Sequence, residues 1–294
     1  RWKATVKEFY GLPPVEQNVD EVIGHALFGG VGRIEGRTYN FLSDFLDRHA
    51  FLTSQPASKY IDKSQPEFLY YPHLQDEYSS ATVKLDLNYS DGTTDTIDKD
   101  TFSLSKGLVY IVPCGYNQLG LSSREQSTKS IVSYSLRIVH TPGQGIGNFY
   151  DAQTRHFEID FDSQSWQKRY YIFRNQFGGM DTVCARGKRS DQQEVSTNTR
   201  TTYWQEGTNA APNQHHVSNV NILSQGKVTQ NVGWVDYATR MWLKGLIGSS
   251  LAWEIVGSDF IPIRITSTSV DTNQDDQSLQ DFVFEFEYDQ NEMI

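Results

Sequence analysis

Residues 81–97 read ATVKLDLNYSDGTTDTI, and they indicate two β-strands joined by a tight turn. Apolar side chains occupy every second position from Val83 to Tyr89, with lysine, aspartate and asparagine between them. Because successive side chains of a strand point to opposite faces, this alternation is typical of a strand with one buried face. Asp91-Gly92 is a strong hairpin signal, so the stretch predicts an antiparallel hairpin.

The same alternation recurs along the chain. FSLSKGLVYIVP at 102–113 indicates a second strand pair around Lys106-Gly107, and SIVSYSLRIVH at 130–140 continues the pattern. Further strands are expected from RHFEIDF at 155–161 and RYYIFRN at 169–175. The end of the chain alternates most regularly, at Ile261, Ile263 and Ile265 and again at Phe282, Phe284, Phe286 and Tyr288. These patterns predict a mainly β protein.

One segment departs from the period of two. In WVDYATRMWLKGLIGSS, apolar residues recur at helical spacing between Val235 and Ile247, and Gly248 follows them. This predicts one amphipathic helix over about 235–247. A helix this short is stable only when its apolar stripe packs on a sheet, so it is expected to cap the β structure around it.

The predicted architecture is therefore antiparallel β-sandwich-like domains with one amphipathic helix in the C-terminal half. Residues 1–49 show no sustained period and are expected to form an N-terminal arm. TPGQGIGN at 141–148 contains three glycines and a proline, which favours a boundary there. The resulting division is a β domain over 50–142 and a second β domain with the capping helix over 143–294.

The composition limits the classes of partner that this chain can bind. The chain has 294 residues and a net charge of −10, which argues against phosphate-backbone binding, so no nucleic acid is expected. It contains no run of about eighteen apolar residues, so no membrane span is expected and the chain should be soluble. Cys114 and Cys184 are too few for a disulfide framework and favour two buried thiols, although a bridge between them stays open.

Motifs for catalysis, cofactors or metals are lacking. GGVGRIEG at 29–36 misses the phosphate-binding glycine spacing by one position, and no lysine-serine or lysine-threonine pair follows. None of the seven histidines has a ligand spacing with a cysteine or carboxylate. The thirty-six acidic residues cannot be narrowed to a catalytic pair. We expect no catalytic residue, cofactor or metal site, and a hydrolase with unrecognised acids remains the third hypothesis.

The stretch YYIFRNQFGGMDTVCARGKRS at 170–190 is predicted to be a hairpin in which two glycines supply the positive φ of the reversal. Its tip is either a turn alone or a turn that contacts the next subunit. The residues assigned to this turn or assembly role are Asn175, Gly178, Gly179, Asp181 and Thr182. An exposed basic patch is expected to follow, at Arg186, Lys188 and Arg189.

Tyr203 and Trp204 lie in a polar stretch where core residues are least expected. Large aromatics are mostly buried, which favours a core or subunit contact for them. Exposed aromatic faces also stack on sugars, so glycan binding is the alternative.

The order of motifs in the second half resembles a known family. The aromatic-Asn-x-x-Gly-Gly-x-Asp-Thr hairpin, the helix with Trp242-Leu243, the FIPIRI strand and the closing strand LQDFVFEFEYD at 279–289 are similar to virion structural proteins of tailed phages and prophages of gut Bacteroidetes, crAss-like and related. The likeness covers about residues 131–290 and extends more weakly to residue 50.

The resemblance implies a tail, baseplate or neck component located in the virion. Such a component assembles with copies of itself and with other virion proteins, and the family has no catalytic residues to transfer. The leading hypothesis is therefore a non-enzymatic structural protein of a phage particle. The alternative is a glycan-binding host-recognition or cell-surface β-sandwich module.

Overall fold

The computed structural model describes residues 50–73, 78–142, 150–151, 153–160, 166–201, 217–268, 279–288 and 292–293, together with the backbone of residues 2–10 and 15–24. The chain divides into two compact units. The first contains residues 1–162 and the short segment 174–182, and the second contains residues 163–173 and 183–294. The boundary predicted near 142 therefore lies inside the first unit.

The larger sheet of the first unit has six strands. In order across the sheet they are β3, β10, β8, β5 and β6, with the short β9 beside β8. All pairs are antiparallel except β3 with β10. The strands are β3 (Ser58–Ile61), β5 (Tyr78–Tyr89), β6 (Thr94–Ser103), β8 (Ile131–Pro142), β9 (Tyr150–Asp151) and β10 (Arg155–Ile159).

A smaller sheet packs on this one. It contains only β4 (Phe68–His73) and β7 (Leu108–Pro113), paired antiparallel. Side chains from both sheets enter one core, where the Phe102 and Tyr110 rings lie 5.0 Å apart and Tyr71 lies 5.4 Å from His140. The first unit is thus a sandwich with one wide and one narrow layer.

Two further strands lie near the start of the chain. β1 (Trp2–Tyr10) and β2 (Val15–Gly24) form an antiparallel ribbon that pairs with no other strand of the described residues. The sequence did not predict them, since residues 1–49 show no sustained alternation.

The second unit is built on one eight-stranded sheet. Its order is β12, β11, β15, β16, β17, β14 and β13, with β18 beside β14. The strands are β11 (Arg169–Arg174), β12 (Met180–Ala185), β13 (Arg189–Thr201), β14 (Val217–Val235), β15 (Ala252–Val256), β16 (Asp259–Ile265), β17 (Gln280–Tyr288) and β18 (Glu292–Met293). Phe282, Phe284 and Phe286 are buried on one face of β17, as the alternation predicts.

Helix α1 (Tyr237–Ile247) covers this sheet. The Asp236 side chain caps it by accepting a hydrogen bond from the Thr239 amide at 2.8 Å, which satisfies one of the unpaired amides of the first turn. Trp242, Leu243 and Leu246 are buried against the sheet. Burial of this stripe stabilises a helix that would be marginal alone.

The predicted fold class is confirmed: the protein is mainly β, with antiparallel sheets and a helix in the C-terminal half. Gly92 has φ 80° in the predicted turn between β5 and β6. The strand pair expected around Lys106-Gly107 is wrong, because β6 pairs with β5 whereas β7 pairs with β4. Alternation marks a strand but does not identify its partner. Cys114 and Cys184 are both buried, and no disulfide joins them.

Candidate functional site

The tip of the predicted hairpin is built around Asn175. Its Oδ1 accepts hydrogen bonds from the amides of Phe177 at 2.9 Å and Gly179 at 3.1 Å, the local bonding typical of asparagine in turns. Gly178 has φ 84°, which favours glycine. These contacts make the reversal rigid, and residues 174–182 belong to the first unit.

Gly179 serves a different purpose from its neighbour. Its φ is not positive, although the sequence predicted a positive φ at this position. A Cβ atom at this position would lie 2.4 Å from the Leu52 carbonyl oxygen. Glycine is required here because another backbone segment approaches closely.

Asp181 anchors the tip from inside. The side chain is buried, and its Oδ1 accepts hydrogen bonds from Thr53 Oγ1 at 2.7 Å, Asn175 Nδ2 at 2.9 Å and Gln55 Nε2 at 3.2 Å. Asn175 Nδ2 also donates to the Leu52 carbonyl at 2.9 Å. The tip is therefore bound to residues 52–55, more than a hundred positions earlier in the chain.

A second buried carboxylate, Glu67, lies beside this contact. It accepts hydrogen bonds from Lys59 Nζ at 2.8 Å, Gln65 Nε2 at 2.9 Å and Gln55 Nε2 at 3.0 Å. Burial raises the pKa of Glu67, and the nearby Lys59 ammonium partly offsets the rise. Lys59 also donates to the carbonyl of Thr182, which joins this group to the tip.

Arg155 adds the second cation. Its Nη1 donates to the carbonyls of Gln55 at 2.9 Å and Pro56 at 3.2 Å, and it interacts electrostatically with Asp181. Two carboxylates thus face two cations in the interior, the balance that buried charges require. Burial raises the pKa of the neighbouring Cys114 thiol well above its usual value, so it is not a reactive thiolate.

Together these contacts form one buried polar cluster, and the cluster gives the tip residues a structural role inside the first unit. Asn175, Gly179, Asp181 and Thr182 are buried within the first unit, and Gly178 is half-buried. The side chains of Asn175 and Asp181, together with the Thr182 carbonyl, hold the tip in place. No sequence pattern predicted the partners on the other side, and the one available signal was Glu67, a single acid beside the apolar run FLYY. The partners are Thr53, Gln55, Lys59, Glu67 and Arg155.

Tyr134 offers a test of burial in this region. Its hydroxyl donates to the Cys114 carbonyl, and burial raises its pKa well above 10.0. Because the folded pKa exceeds the unfolded one, the stabilisation from Tyr134 is complete below the unfolded pKa and is lost as pH rises through the folded pKa. We expect Tyr134 to ionise only when the first unit unfolds in alkali.

The absorbance of tyrosinate during an alkaline titration measures the ionisation of Tyr134. Tyr134→Phe should reduce the late step that accompanies unfolding by about one tyrosine. The parent chain, titrated under the same conditions, is the reference for the amplitude of both steps. Loss of amplitude from the early step in Tyr134→Phe would contradict the prediction.

The second unit contains a polar cluster at the start of β13. Arg189 Nη1 donates to Glu254 Oε1 at 2.7 Å, and Nη2 donates to the Tyr288 hydroxyl at 2.8 Å. The side chain is 13% exposed, so its assignment to an exposed basic patch is wrong, whereas Lys188 is exposed. The guanidinium lies above the rings of Phe286 and Tyr288, which bury it. Arg189 therefore holds the first residue of β13 on the sheet.

Beyond that anchor, β13 and β14 form a long ribbon. They pair from Arg189 with Gln230 to Thr201 with Val217. β17 pairs with β14 only from Lys227 onward, and β18 pairs with β14 at Leu223 and Ser224. Residues of β13 after Arg189 are all exposed, and most are polar. Within the described residues, the outer part of this ribbon has no covering layer.

The other predicted binding residues fall elsewhere. Tyr203 and Trp204 lie outside the described residues. In the part of the chain that the structure describes, no group of three or more histidine, cysteine, aspartate or glutamate side chains could hold a metal ion. None of the helices described there has the length and apolarity needed to cross a membrane.

Comparison with known proteins adds no further constraint: no family model, curated protein or solved structure matches this chain. The buried polar cluster and the ribbon are therefore interpreted from their own geometry. The first is an internal contact, and the second is a ribbon whose outer edge pairs with no other strand of the described residues.

Proposed function

We propose that the protein is a non-enzymatic structural component of a bacteriophage virion, in the tail, baseplate or neck, that assembles with copies of itself and with other virion proteins. The observation that carries this proposal is the β13–β14 ribbon. β13 has 13 residues, so the ribbon extends roughly 43 Å at about 3.3 Å per residue.

An isolated two-stranded ribbon is marginally stable in water, because it has no apolar face to bury. β13 is also the last strand of its sheet, so its outer backbone amides and carbonyls pair with no other described strand. Such an edge is a template for a strand from another chain. Assembly supplies the missing partner, and this favours a protein that works by docking.

The net charge of −10 is consistent with this role, since it disfavours contacts with DNA phosphates. The buried polar cluster contributes in another way. Lys59 and Glu67 form a buried ion pair, while Arg155 donates to backbone carbonyls and Asp181 accepts from neutral side chains. These contacts support a structural role for the cluster rather than a catalytic one.

The test is the mass of the purified full-length chain at rising concentration, followed by electron microscopy of the particles. We expect defined oligomers or rings, and we expect deletion of residues 1–40 to weaken association. A chain that stays monomeric at high concentration, with and without these residues, would contradict the proposal. A monomer that binds polysaccharide, and loses it in Trp234→Ala, would support the glycan-binding alternative, because Trp234 is the most exposed described aromatic at 70%.

A further inference from the structure

The outer part of β13 lies at an open edge of its sheet. β13 is the last strand in the sheet order, and β14 is the one described strand that pairs with it. On the other side of β14, β17 begins to pair only at Lys227, which lies opposite Gln192 of β13. Residues 193–201 of β13 therefore pair with a part of β14 that β17 does not reach, where the two-residue strand β18 is the further described neighbour. We call these nine residues the edge segment.

Within the described residues, little protects the edge segment against the addition of a strand. Natural edges are usually protected by proline, lysine, a bulge or a covering element. The sequence QEVSTNTRT contains neither proline nor lysine, and all nine residues are exposed. The irregularity in the ribbon gives β14 the extra residue, so β13 continues without a bulge of its own. One face of the edge segment consists of valine and threonine, which favour a strand.

The charge of the ribbon allows a second copy to approach it. The whole chain has a net charge of −10, but residues 190–201 and 217–229 contain two acids, Asp191 and Glu194, and two bases, Arg200 and Lys227. Two acids and two bases give this part of the ribbon a net charge of zero. Its net charge therefore does not repel a second ribbon.

Glu194 and Arg200 are the two charges of the edge segment, and both are exposed. They lie six positions apart, which places them on the same face of the strand and roughly 20 Å from each other at about 3.3 Å per residue. At that separation they do not pair with one another. Lys227, on the neighbouring strand, forms its ion pair with Glu285 at 3.2 Å.

A two-fold axis limits how two edge segments can pair. The axis is perpendicular to the shared sheet, so each register is centred on one residue that lies opposite its own copy. The register centred on Thr197 places Glu194 of each copy opposite Arg200 of the other, since both lie three positions from the centre. Registers centred on Glu194 or Arg200 place like charges opposite each other, which is destabilising. Registers centred elsewhere in the edge segment give neither residue an opposite charge.

The support of β14 by β17 selects the same centre. Thr197 is the midpoint of the edge segment, whose start is set by the residue at which β17 stops pairing with β14. The register centred on Thr197 therefore pairs all nine residues with the nine of the other copy. On the second face it places Val195 opposite Thr199, and Thr197 opposite its own copy. Threonine pairs of this kind contribute to the stability of a sheet.

We propose that the edge segments of two copies pair antiparallel about a two-fold axis at Thr197, with Glu194 of each copy opposite Arg200 of the other. The two ribbons then form one four-stranded sheet, and the backbone amides and carbonyls along both edges gain partners. The contact uses the same surface of both chains, so it is isologous and closes as a dimer. This dimer contact rests on the proposed self-assembly and is one of its interfaces. A ring needs a second interface elsewhere on the chain.

Cysteine cross-linking in the full-length chain tests the register. Thr197→Cys should form a disulfide-linked dimer with oxidised glutathione, because directly opposite residues have Cβ atoms about 4.5–5.5 Å apart, close to disulfide geometry. Thr199→Cys is the matched control, an exposed threonine on the same face. Its two copies would lie roughly 13 Å apart along the strands, at about 3.3 Å per residue, and should not link. Non-reducing electrophoresis compares the two variants, which both retain Cys114 and Cys184.

Charge reversal tests the pairing of Glu194 with Arg200. Glu194→Arg and Arg200→Glu each place like charges opposite at two positions, and each should weaken association about tenfold or more in sedimentation velocity at low salt. An equimolar mixture of the two variants should associate to within about threefold of the parent, because every facing pair then has opposite charges. Misfolded chains would not recover on mixing. Asp259→Arg makes the same change of charge at an exposed aspartate of the second unit and should leave association unchanged.

The outcomes separate this interface from self-assembly in general. An assembled parent in which Thr197→Cys links no better than Thr199→Cys would overturn the register. An assembled parent whose two reversals match Asp259→Arg, or do not recover on mixing, would overturn the edge contact and leave self-assembly standing. A parent that stays monomeric at high concentration would overturn both.

Discussion

Replacing Asp181 with alanine is expected to destabilise the first unit by about 3–5 kcal/mol, the range for removing one partner from a buried charged contact. The carboxylate accepts hydrogen bonds from Thr53, Asn175 and Gln55 in the interior. Without it, these donors have lost an acceptor, and Arg155 loses one of the two anions that offset its charge. The tip and residues 52–55 then have no charged contact between them.

Hydrogen exchange measured by peptide is the suitable method, because a protein with two units need not unfold in a single step. Protection should fall in β3 and β10. Asp95→Ala is the matched control, since Asp95 is an exposed acid of the same unit, and it should change stability by less than about 0.5 kcal/mol. Asp181→Asn keeps an acceptor oxygen and should cost less than alanine. Equal protection in Asp181→Ala and Asp95→Ala would show that the buried polar cluster does not stabilise the unit.

Gly179→Ala is expected to cost about 2–3 kcal/mol, near the upper part of the range for overpacking a closed interior. The new methyl group would lie 2.4 Å from the Leu52 carbonyl oxygen and 3.1 Å from Asn175 Nδ2. The first of these is a backbone atom, so relief requires the 50–53 segment or the tip to move. Movement of either lengthens the bond from Asn175 to the same carbonyl.

The control is Gly226→Ala, because a Cβ there meets no atom within 4 Å. It should leave stability unchanged or slightly raise it, since alanine restricts the unfolded chain more than glycine does. Urea unfolding of both variants, followed by circular dichroism, compares them directly. A Gly179→Ala chain as stable as the Gly226→Ala chain would mean that the close approach is not needed.

The local sequence pattern was sufficient to predict much of the architecture. The alternation of Phe282, Phe284 and Phe286 identifies the buried face of β17, and Asp91-Gly92 identifies the turn after β5. Helical spacing identifies α1 to within two residues at its start. These features depend on neighbours a few positions apart, so they can be read from the chain directly.

Strand partners could not be read in this way. β7 follows β6 after a short turn, yet it crosses to the other layer and pairs with β4. β3 pairs in parallel with β10, almost a hundred positions later. Pairing depends on which apolar faces meet in the core, and many partners share the same alternation.

The same limit applies to the hairpin that carries Asn175, Gly178, Gly179, Asp181 and Thr182. From the sequence alone, the turn and its local bonding by Asn175 were predictable, because they involve residues two to four positions apart. Only the tertiary structure brings Asp181 to Thr53 and Gly179 to the Leu52 carbonyl. A long-range approach of this kind has no periodic signal, since it is decided by how the whole chain packs. The sequence thus determined a mainly β chain with one capping helix in its second half, and the packing decided that the hairpin tip lies buried in the first unit.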